Sequence, residues 1–357
     1  PNERLGKKLN ITGKGRCNVT NNTDIEGLLA NIPRNGKFLY SAFTNFSSAD
    51  TMAFFEALGV PLKTERGNRV FPVSDSAFDV SAALERRLKA LRVRIVRDRA
   101  VSLEIADGTV RGVAGERGSY PADGVILATG GVSYPGTGST GDGHRLAAEA
   151  GHTVTPLRGS LVPLQGVIAP GIPCVRLQGL SLRNIGLTVF ENNKKLYTDF
   201  GELLFTHFGV SGPLILSASA HMRYFDKKQY RLEIDLKPAL DEQQLDKRLL
   251  SDFGKYANHD FQNALDDLLP QKLIPVVVQL SEIPGRQKVH DLTREQRQSL
   301  LRVLKHFPVE ISAPCPVEDA IVTSGGVKVS EIDPKSMESK LVKELHFAGE
   351  LIDTDAY

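Results

Sequence analysis

Three segments far apart in this chain repeat one pattern, an apolar run that ends in glycine. They are Val125-Ile126-Leu127-Ala128-Thr129-Gly130-Gly131, residues 320–329 (AIVTSGGVKV) and residues 345–353 (LHFAGELID). The last of them turns at Gly349-Glu350, with Asp353 just beyond. A short continuous apolar run reads as a buried strand, and glycines at its carboxyl end let the backbone approach a ligand closely. Three such runs predict one nucleotide-binding domain assembled from discontinuous pieces, with the middle of the chain as an insertion.

The opening stretch, residues 5–21 (LGKKLNITGKGRCNVTN), fits the same chemistry. Gly13 and Gly15 free the backbone, Lys14 and Arg16 alternate with them, and Asn18, Thr20 and Asn21 add short polar side chains. Exposed N–H groups beside basic side chains form a cradle for a phosphate or pyrophosphate. A solvated basic turn has the same composition, and the remote glycine runs tilt the reading toward the ligand. Residues 133–143 (SYPGTGSTGDG) then form a glycine and hydroxyl loop that opens the helix HRLAAEAG, whose first turn offers free N–H groups to an anion.

Between these pieces the pattern is regular. Thr23-Asp24-Ile25-Glu26 reads as a capping box. Phe38, Leu39, Ala42, Phe43 and Phe46, then Met52, Phe55 and Leu58, recur at helical spacing and are expected in the core. A third helix carries Val80, Leu84, Leu88 and Leu91, and a strand is expected at 93–96 (VRIV). Asp107-Gly108 predicts a hairpin. Residues 153–236 read as β-rich, a small barrel or sandwich containing residues 201–213 (GELLFTHFGVSGP). Residues 240–307 read as helical, with a second capping box at Thr293-Arg294-Glu295-Gln296, and form an insertion carried by the β-rich domain.

Bulk properties exclude several classes. A chain of 357 residues predicts two or three domains. A formal net charge of +2 gives no reason to expect a nucleic-acid partner. Cys17, Cys174 and Cys315 are scattered, which fits a reducing cytoplasm and leaves no dithiol motif or metal-ligand spacing. No apolar run approaches the roughly 18 residues of a membrane helix. The chain starts at Pro1 without a methionine and stops at Tyr357 just after an apolar strand, so continuation at both ends is expected.

Together, residues 8–21, 128–143, 201–213, 320–327 and 347–353 resemble the bacterial YhiN/BaiN-type flavoproteins, which include aminoacetone oxidases. The resemblance covers essentially the whole chain. It implies an α/β fold: a discontinuous glutathione-reductase-like FAD-binding domain (1–155 and 320–357), an inserted β-barrel substrate domain (156–237 and 308–319) and a small helical insert (238–307). It places Gly13, Gly15, Arg16, Cys17 and Asn18 against the FAD pyrophosphate and ribityl–flavin region, and the Ala100 backbone near the adenine. Thr129, Gly130 and Gly131 are implied to line the nucleotide half, and Gly349, Glu350 and Asp353 to contact the ribityl chain and pyrophosphate. The family's first strand, GxGxxG turn and ribose-binding acid would precede Pro1, and a glycine-rich turn and helix would follow Tyr357. Without them FAD binding is expected to be weak or absent.

The implied activity is that of an FAD-dependent oxidoreductase acting on a small organic substrate, amine or ketone-like, with oxygen or NAD(P)H as second partner. His207 is the candidate proton donor or substrate contact, the alternative being that its ring holds the FTHFG turn; Tyr134 is a weaker candidate. A flavin-free nucleotide-binding or interaction module of the same fold is the alternative function. An RNA-directed flavoprotein is a third, against which the near-zero net charge and the lack of a long basic, aromatic-laced stripe count. The expectation is therefore a cytoplasmic enzyme with no nucleic-acid or membrane partner, no metal, and an oligomeric state left open.

Overall fold

A computed structural model describes residues 2–168 and 171–356. The chain divides into two compact units, Pro1–Ser160 with Val317–Tyr357, and Leu161–Pro316. It combines helices with several sheets in an α/β arrangement.

In the first unit the strands Val125–Leu127 and Leu345–Phe347 pair in parallel, Val125 opposite Leu345 and Leu127 opposite Phe347. Parallel pairing brings both carboxyl ends to one side, so residues 128–131 and 348–353 leave the sheet together. The third glycine run joins them. Val327 N–H donates to the Leu351 carbonyl at 2.9 Å, and Asp353 N–H donates to the Val327 carbonyl at 3.0 Å. Gly326 makes this approach feasible, with φ of +141° and the Leu351 oxygen 2.3 Å from where a Cβ would lie. Leu127, Leu345, Phe347, Val327 and Leu351 pack with Leu146 and Ala147 of the helix Asp142–Glu149 into one core. Val125 and Leu127 are buried as expected, while Ile126 between them is 66% exposed, so among the described residues one face of this strand is covered.

Other local expectations divide in an instructive way. The hairpin Ala100–Ala106 to Thr109–Gly115 turns at Asp107 and Gly108, both at positive φ as a type I′ turn requires. The first cap is supplied by Asp24, whose Oδ1 accepts from Gly27 N–H at 2.7 Å, rather than by Thr23. The apolar stripe through Tyr40–Asn45 and Ser48–Ala57 divides: Phe38, Phe55 and Leu58 pack against buried cores, whereas Phe46 is exposed and meets Phe54 edge-on at 6.3 Å. No strand forms at 93–96, which is exposed and has no sheet partner among the described residues. A β-prone tetrapeptide makes a strand only where a second strand meets it.

His152 is buried beneath the parallel pair, Nε2 2.8 Å from Ser339 Oγ and its ring edge-on to Phe347 at 4.8 Å. Burial pushes its pKa below the ordinary imidazole value, and Glu331 opposes this only in part. The unfolded chain then takes up a proton near pH 6.5 that the folded one refuses, so stability falls as pH drops below about 6.5. Urea unfolding at pH 7.5 and 5.5 is expected to show a lower midpoint at the acid value, and His152→Gln to reduce that difference. An identical pH response in the variant would remove His152 from this account.

In the second unit the strands run in the order Ile172–Pro173, Leu164–Ile168, Gly209–Ser211, Lys194–Phe205, Ser181–Glu191, Tyr230–Asp235 and Phe307–Pro314. Phe307–Pro314 also pairs back onto Leu164–Ile168, so six strands close on themselves. Alternation along Tyr230–Asp235 sends Tyr230, Leu232 and Ile234 inward. Between this strand and Phe307–Pro314 the chain forms the helices Glu242–Lys255, Ile274–Ser281 and Arg294–Lys305. The last has the expected capping box, Thr293 Oγ1 with Gln296 N–H at 3.2 Å and Gln296 Oε1 with Thr293 N–H at 3.0 Å. Leu245, Leu249, Leu300 and Leu304 share the core of the closed sheet. Among the described residues no helix is long and apolar enough to cross a membrane.

Candidate functional site

Where the glycine runs converge in the first unit, four polar side chains from distant segments meet. Glu350 follows the strand Leu345–Phe347, Ser133 follows the 125–131 run, Thr323 lies in the strand Val322–Ser324, and Lys8 precedes the 3-10 turns of Leu9–Gly15. Lys8 Nζ donates to Glu350 Oε2 at 2.7 Å and to Ser133 Oγ at 2.8 Å. Glu350 Oε1 accepts from Thr323 N–H at 2.6 Å and Ser133 Oγ–H at 3.1 Å. Thr323 Oγ1 accepts in turn from the N–H groups of Val132 and Ser133 at 2.8 and 3.2 Å. Burial pushes the Glu350 carboxyl up, but the Lys8 ammonium and the Thr323 and Ser133 donors outweigh it and hold the pKa below the ordinary glutamate value. This stabilisation is complete above the unfolded value and is lost as pH falls through the folded one. Gly131 lies against the cluster, and Gly143 lies against Thr129, so Thr129, Gly131 and Glu350 are drawn into one neighbourhood.

Asp353 is 2% exposed, and its Oδ2 accepts from Arg34 Nη2 at 2.6 Å. Asn35 Nδ2 donates to the Asp353 carbonyl at 2.6 Å. Asp353 Oδ1 is buried and has no hydrogen-bond partner among the described residues. A buried carboxylate oxygen of this kind calls for a donor, and a ligand hydroxyl is one.

Ala100 and Thr129 line a common cavity of about 580 Å³ with Arg99, Gly138, Thr140 and Asp142. Asp142 accepts from Arg99 Nη2 at 3.0 Å and from Thr140 Oγ1–H at 3.0 Å, which with the desolvation working against them leave its pKa lowered. An anion expected at the start of the helix Asp142–Glu149 is therefore supplied by the chain itself, because this carboxylate sits in the first turn.

The opening turn departs from expectation at two residues. Arg16 lies over the Phe71 ring at 4.0 Å and pairs with Glu65 at 2.6 Å and Asp75 at 2.8 Å. Its charge is matched locally, and it braces the turn rather than offering a free phosphate ligand. Cys17 is 5% exposed in the small core with Val60, Ala77, Val80 and Ala83, and burial pushes its thiol up, away from thiolate chemistry. Gly13 and Asn18 stay at the surface, with Gly15 half-buried between them. Sequence reasoning does not single out Lys8, Arg34, Ser133 and Thr323 as site residues; Lys8, Ser133 and Thr323 lie inside the motifs 8–21, 128–143 and 320–327, but nothing in the spacing pairs them with Glu350.

His207 belongs to the second unit. It is exposed at the turn between Lys194–Phe205 and Gly209–Ser211, with its ring 4.9 Å from that of Phe208. Thr206 holds this turn, its N–H donating to the Gly209 carbonyl at 2.9 Å and its Oγ1 accepting from Gly209 N–H at 3.1 Å. The His207 ring is not needed to fold the turn. Tyr134 is 38% exposed at the start of the 3-10 turn Pro135–Thr137.

Comparison with known proteins shows the family of the chain. Residues 1–357 match the family described as HI0933-like protein Rossmann domain. The chain is 32% identical to the 3-dehydro-bile acid delta(4,6)-reductase of Clostridium scindens, over 99% of this chain and 85% of that protein. It is 28% identical to the ribosomal RNA dihydrouridine synthase of Escherichia coli and 26% identical to that of Haemophilus influenzae, each over 99% of this chain and 85% of the relative.

Proposed function

Because this chain belongs to the HI0933-like Rossmann-domain family and is a flavin-dependent oxidoreductase, we propose that it binds FAD in its first unit and reduces a carbon–carbon double bond conjugated to a carbonyl, with NAD(P)H as electron source. The observation that carries the cofactor assignment is the partnerless Asp353 oxygen, beside Arg34 and the Lys8–Glu350 cluster, at the shared carboxyl end of the parallel strands. Ligands bind there in open α/β sheets. In this reading residues 1–155 and 320–357 form the FAD domain, 156–237 and 308–319 the substrate barrel, and 238–307 its helical insert.

The residues fit the cofactor. Asp353 and Glu350, held by Arg34 and Lys8, would take the ribityl hydroxyls, and Gly13, Gly15, Gly130, Gly131 and Gly349 would leave backbone N–H groups within reach of the pyrophosphate. Ala100 and Thr129 would border the adenine. When bound, FAD supplies a two-electron carrier that the side chains lack. The protein's own part is to hold that carrier, keep water from the reacting centre and deliver a proton. A 3-oxo Δ4,6 bile acid and a uracil ring, the chemistries in the relatives' names, share one reducible unit, the conjugated double bond; this favours a ketone-like over an amine substrate. His207, whose ring makes no hydrogen bond among the described residues, is assigned the proton for the carbon next to the carbonyl.

The test is the visible spectrum of the purified protein with chromatography of whatever denaturation releases. Stoichiometric FAD is expected, and Asp353→Asn is expected to weaken it about tenfold or more, the worth of one charge-assisted hydrogen bond. His207→Gln is expected to leave flavin content unchanged and to slow oxidation of the NAD(P)H-reduced protein by an enone. A colourless protein that takes up no added FAD would favour the flavin-free module instead.

A further inference from the structure

The turn Asn192-Asn193 joins the long strands Ser181–Glu191 and Lys194–Phe205 of the second unit, and both turn residues hold positive φ, as a two-residue type I′ hairpin requires. This tip is fastened down. Asn192 Oδ1 accepts from Gln229 N–H at 3.0 Å, and Asn192 N–H donates to the Gln229 carbonyl at 3.0 Å. Next to them Lys228 Nζ pairs with Glu191 at 2.7 Å. Between the tip and the strands Tyr230–Asp235 and Phe307–Pro314 lies a cavity of about 350 Å³, with Phe190, Asn193, Gln229, Arg231 and Glu310 among its walls.

Strand register sets the chemistry of this recess. Phe190 stands opposite Arg231, and Arg231 opposite Glu310, so the three side chains share one face in a row across three strands. A cation and an anion placed in this way normally pair. Instead Arg231 pairs with Glu233 of its own strand and lies over the Phe190 ring at 4.7 Å. The side chains of Glu310, Asn193 and Gln229 are left with no hydrogen bond or ion pair among the described residues, although each lines the cavity. One solvated carboxylate calls for no explanation. A carboxylate and two planar amides gathered around one braced recess form a preorganised set of acceptors and donors.

Charge and shape narrow the occupant. Glu310 opposes an anion, and the Arg231 guanidinium beside it opposes a cation. The Phe190 face that Arg231 covers is closed to a stacked planar ring. What fits is a neutral, saturated ligand that donates and accepts through adjacent hydroxyls, which carboxylate and amide groups take two at a time. The volume lies at the lower end of small-molecule sites, which span roughly 300–1,000 Å³, and suits a single sugar ring. We propose that this recess binds a neutral polyhydroxylated ligand of monosaccharide size through Glu310, Asn193 and Gln229. The site lies within the second unit and does not rest on the flavin assignment.

The experiment is saturation-transfer NMR of the full chain with methyl β-D-glucopyranoside and with myo-inositol. Transfer to the ring protons of at least one of them is expected, with an affinity that does not change with salt, because the ligand carries no charge. Glu310→Ala is expected to weaken binding about tenfold, and Asn193→Gly several-fold. Glycine accepts the positive φ of the turn, so Asn193→Gly removes the amide and keeps the hairpin. Thermal midpoints report folding of both variants independently. The proposal is overturned if neither ring ligand binds, or if both folded variants bind as the wild type does. It is equally overturned if glycerol competes as well as the ring ligands, an adventitious additive only, or if choline or acetate displaces them.

Discussion

Gly131→Ala is expected to yield a protein that has lost its flavin and melts about 10 °C lower. The added Cβ would lie 2.2 Å from Thr323 Oγ1, 2.6 Å from Thr323 Cβ and 2.9 Å from Glu350 Oε1. Neither neighbour is free to move. Thr323 Oγ1 is fixed by two N–H donors, and Glu350 Oε1 by the Thr323 N–H and the Ser133 hydroxyl. Overpacking costs about 1–3 kcal/mol, and displacing hydrogen bonds to a charged carboxylate adds about 1.5–3 kcal/mol. At roughly 2–4 °C per kcal/mol for a unit of this size, the melting shift follows. Gly349→Ala is the matched control. Nothing lies within 4 Å of its Cβ position, so only the φ of +78° is penalised, by roughly 1–2 kcal/mol. If Gly131→Ala keeps its flavin and its melting point, the Lys8–Ser133–Thr323–Glu350 cluster is not the rigid frame described above.

The parts of this structure that could be read from sequence are those fixed by short-range physics. Asp107-Gly108 needs only its own two dihedrals to define a hairpin, and Thr293 and Gln296 satisfy each other across one turn. The glycine runs were legible because an apolar run ending in glycine leaves few alternatives, and three of them had to converge. What failed was decided by partners that no local pattern announces. The 93–96 segment has strand propensity, but among the described residues no strand pairs with it and its side chains are exposed. Phe46 shares the helical spacing of Phe38, Phe55 and Leu58, which pack against cores, but stays exposed beside Phe54. Arg16 looked like a phosphate ligand because the carboxylates that claim it, Glu65 and Asp75, lie some fifty residues or more further on. Lys8 and Glu350 are ends of one ion pair separated by 342 positions.

Arg34→Ala tests the other half of the candidate site, and its expected cost is about 3 kcal/mol of folding stability in the flavin-free protein. Asp353 is 2% exposed, and Arg34 is the only cation paired with it among the described residues. Removing the arginine strands a charge in a place where one carboxylate oxygen already lacks a donor. Asp353→Asn removes the charge as well as the pair, so it should cost less, and the double variant should be close to Asp353→Asn alone. The coupling energy from that cycle, read by urea unfolding, is the quantity to measure. A coupling near zero would mean that the 2.6 Å contact contributes nothing, as many surface pairs do. The same variants separate folding from cofactor binding. If the partnerless Asp353 Oδ1 takes a cofactor hydroxyl, added FAD should recover stability in Arg34→Ala, because the ligand gives the stranded carboxylate a donor at that oxygen and binding to the folded state adds to its stability. In Asp353→Asn that recovery should be smaller, since the acceptor has lost its charge. A flavin-induced gain of the same size in both variants would place the cofactor contact elsewhere in the site.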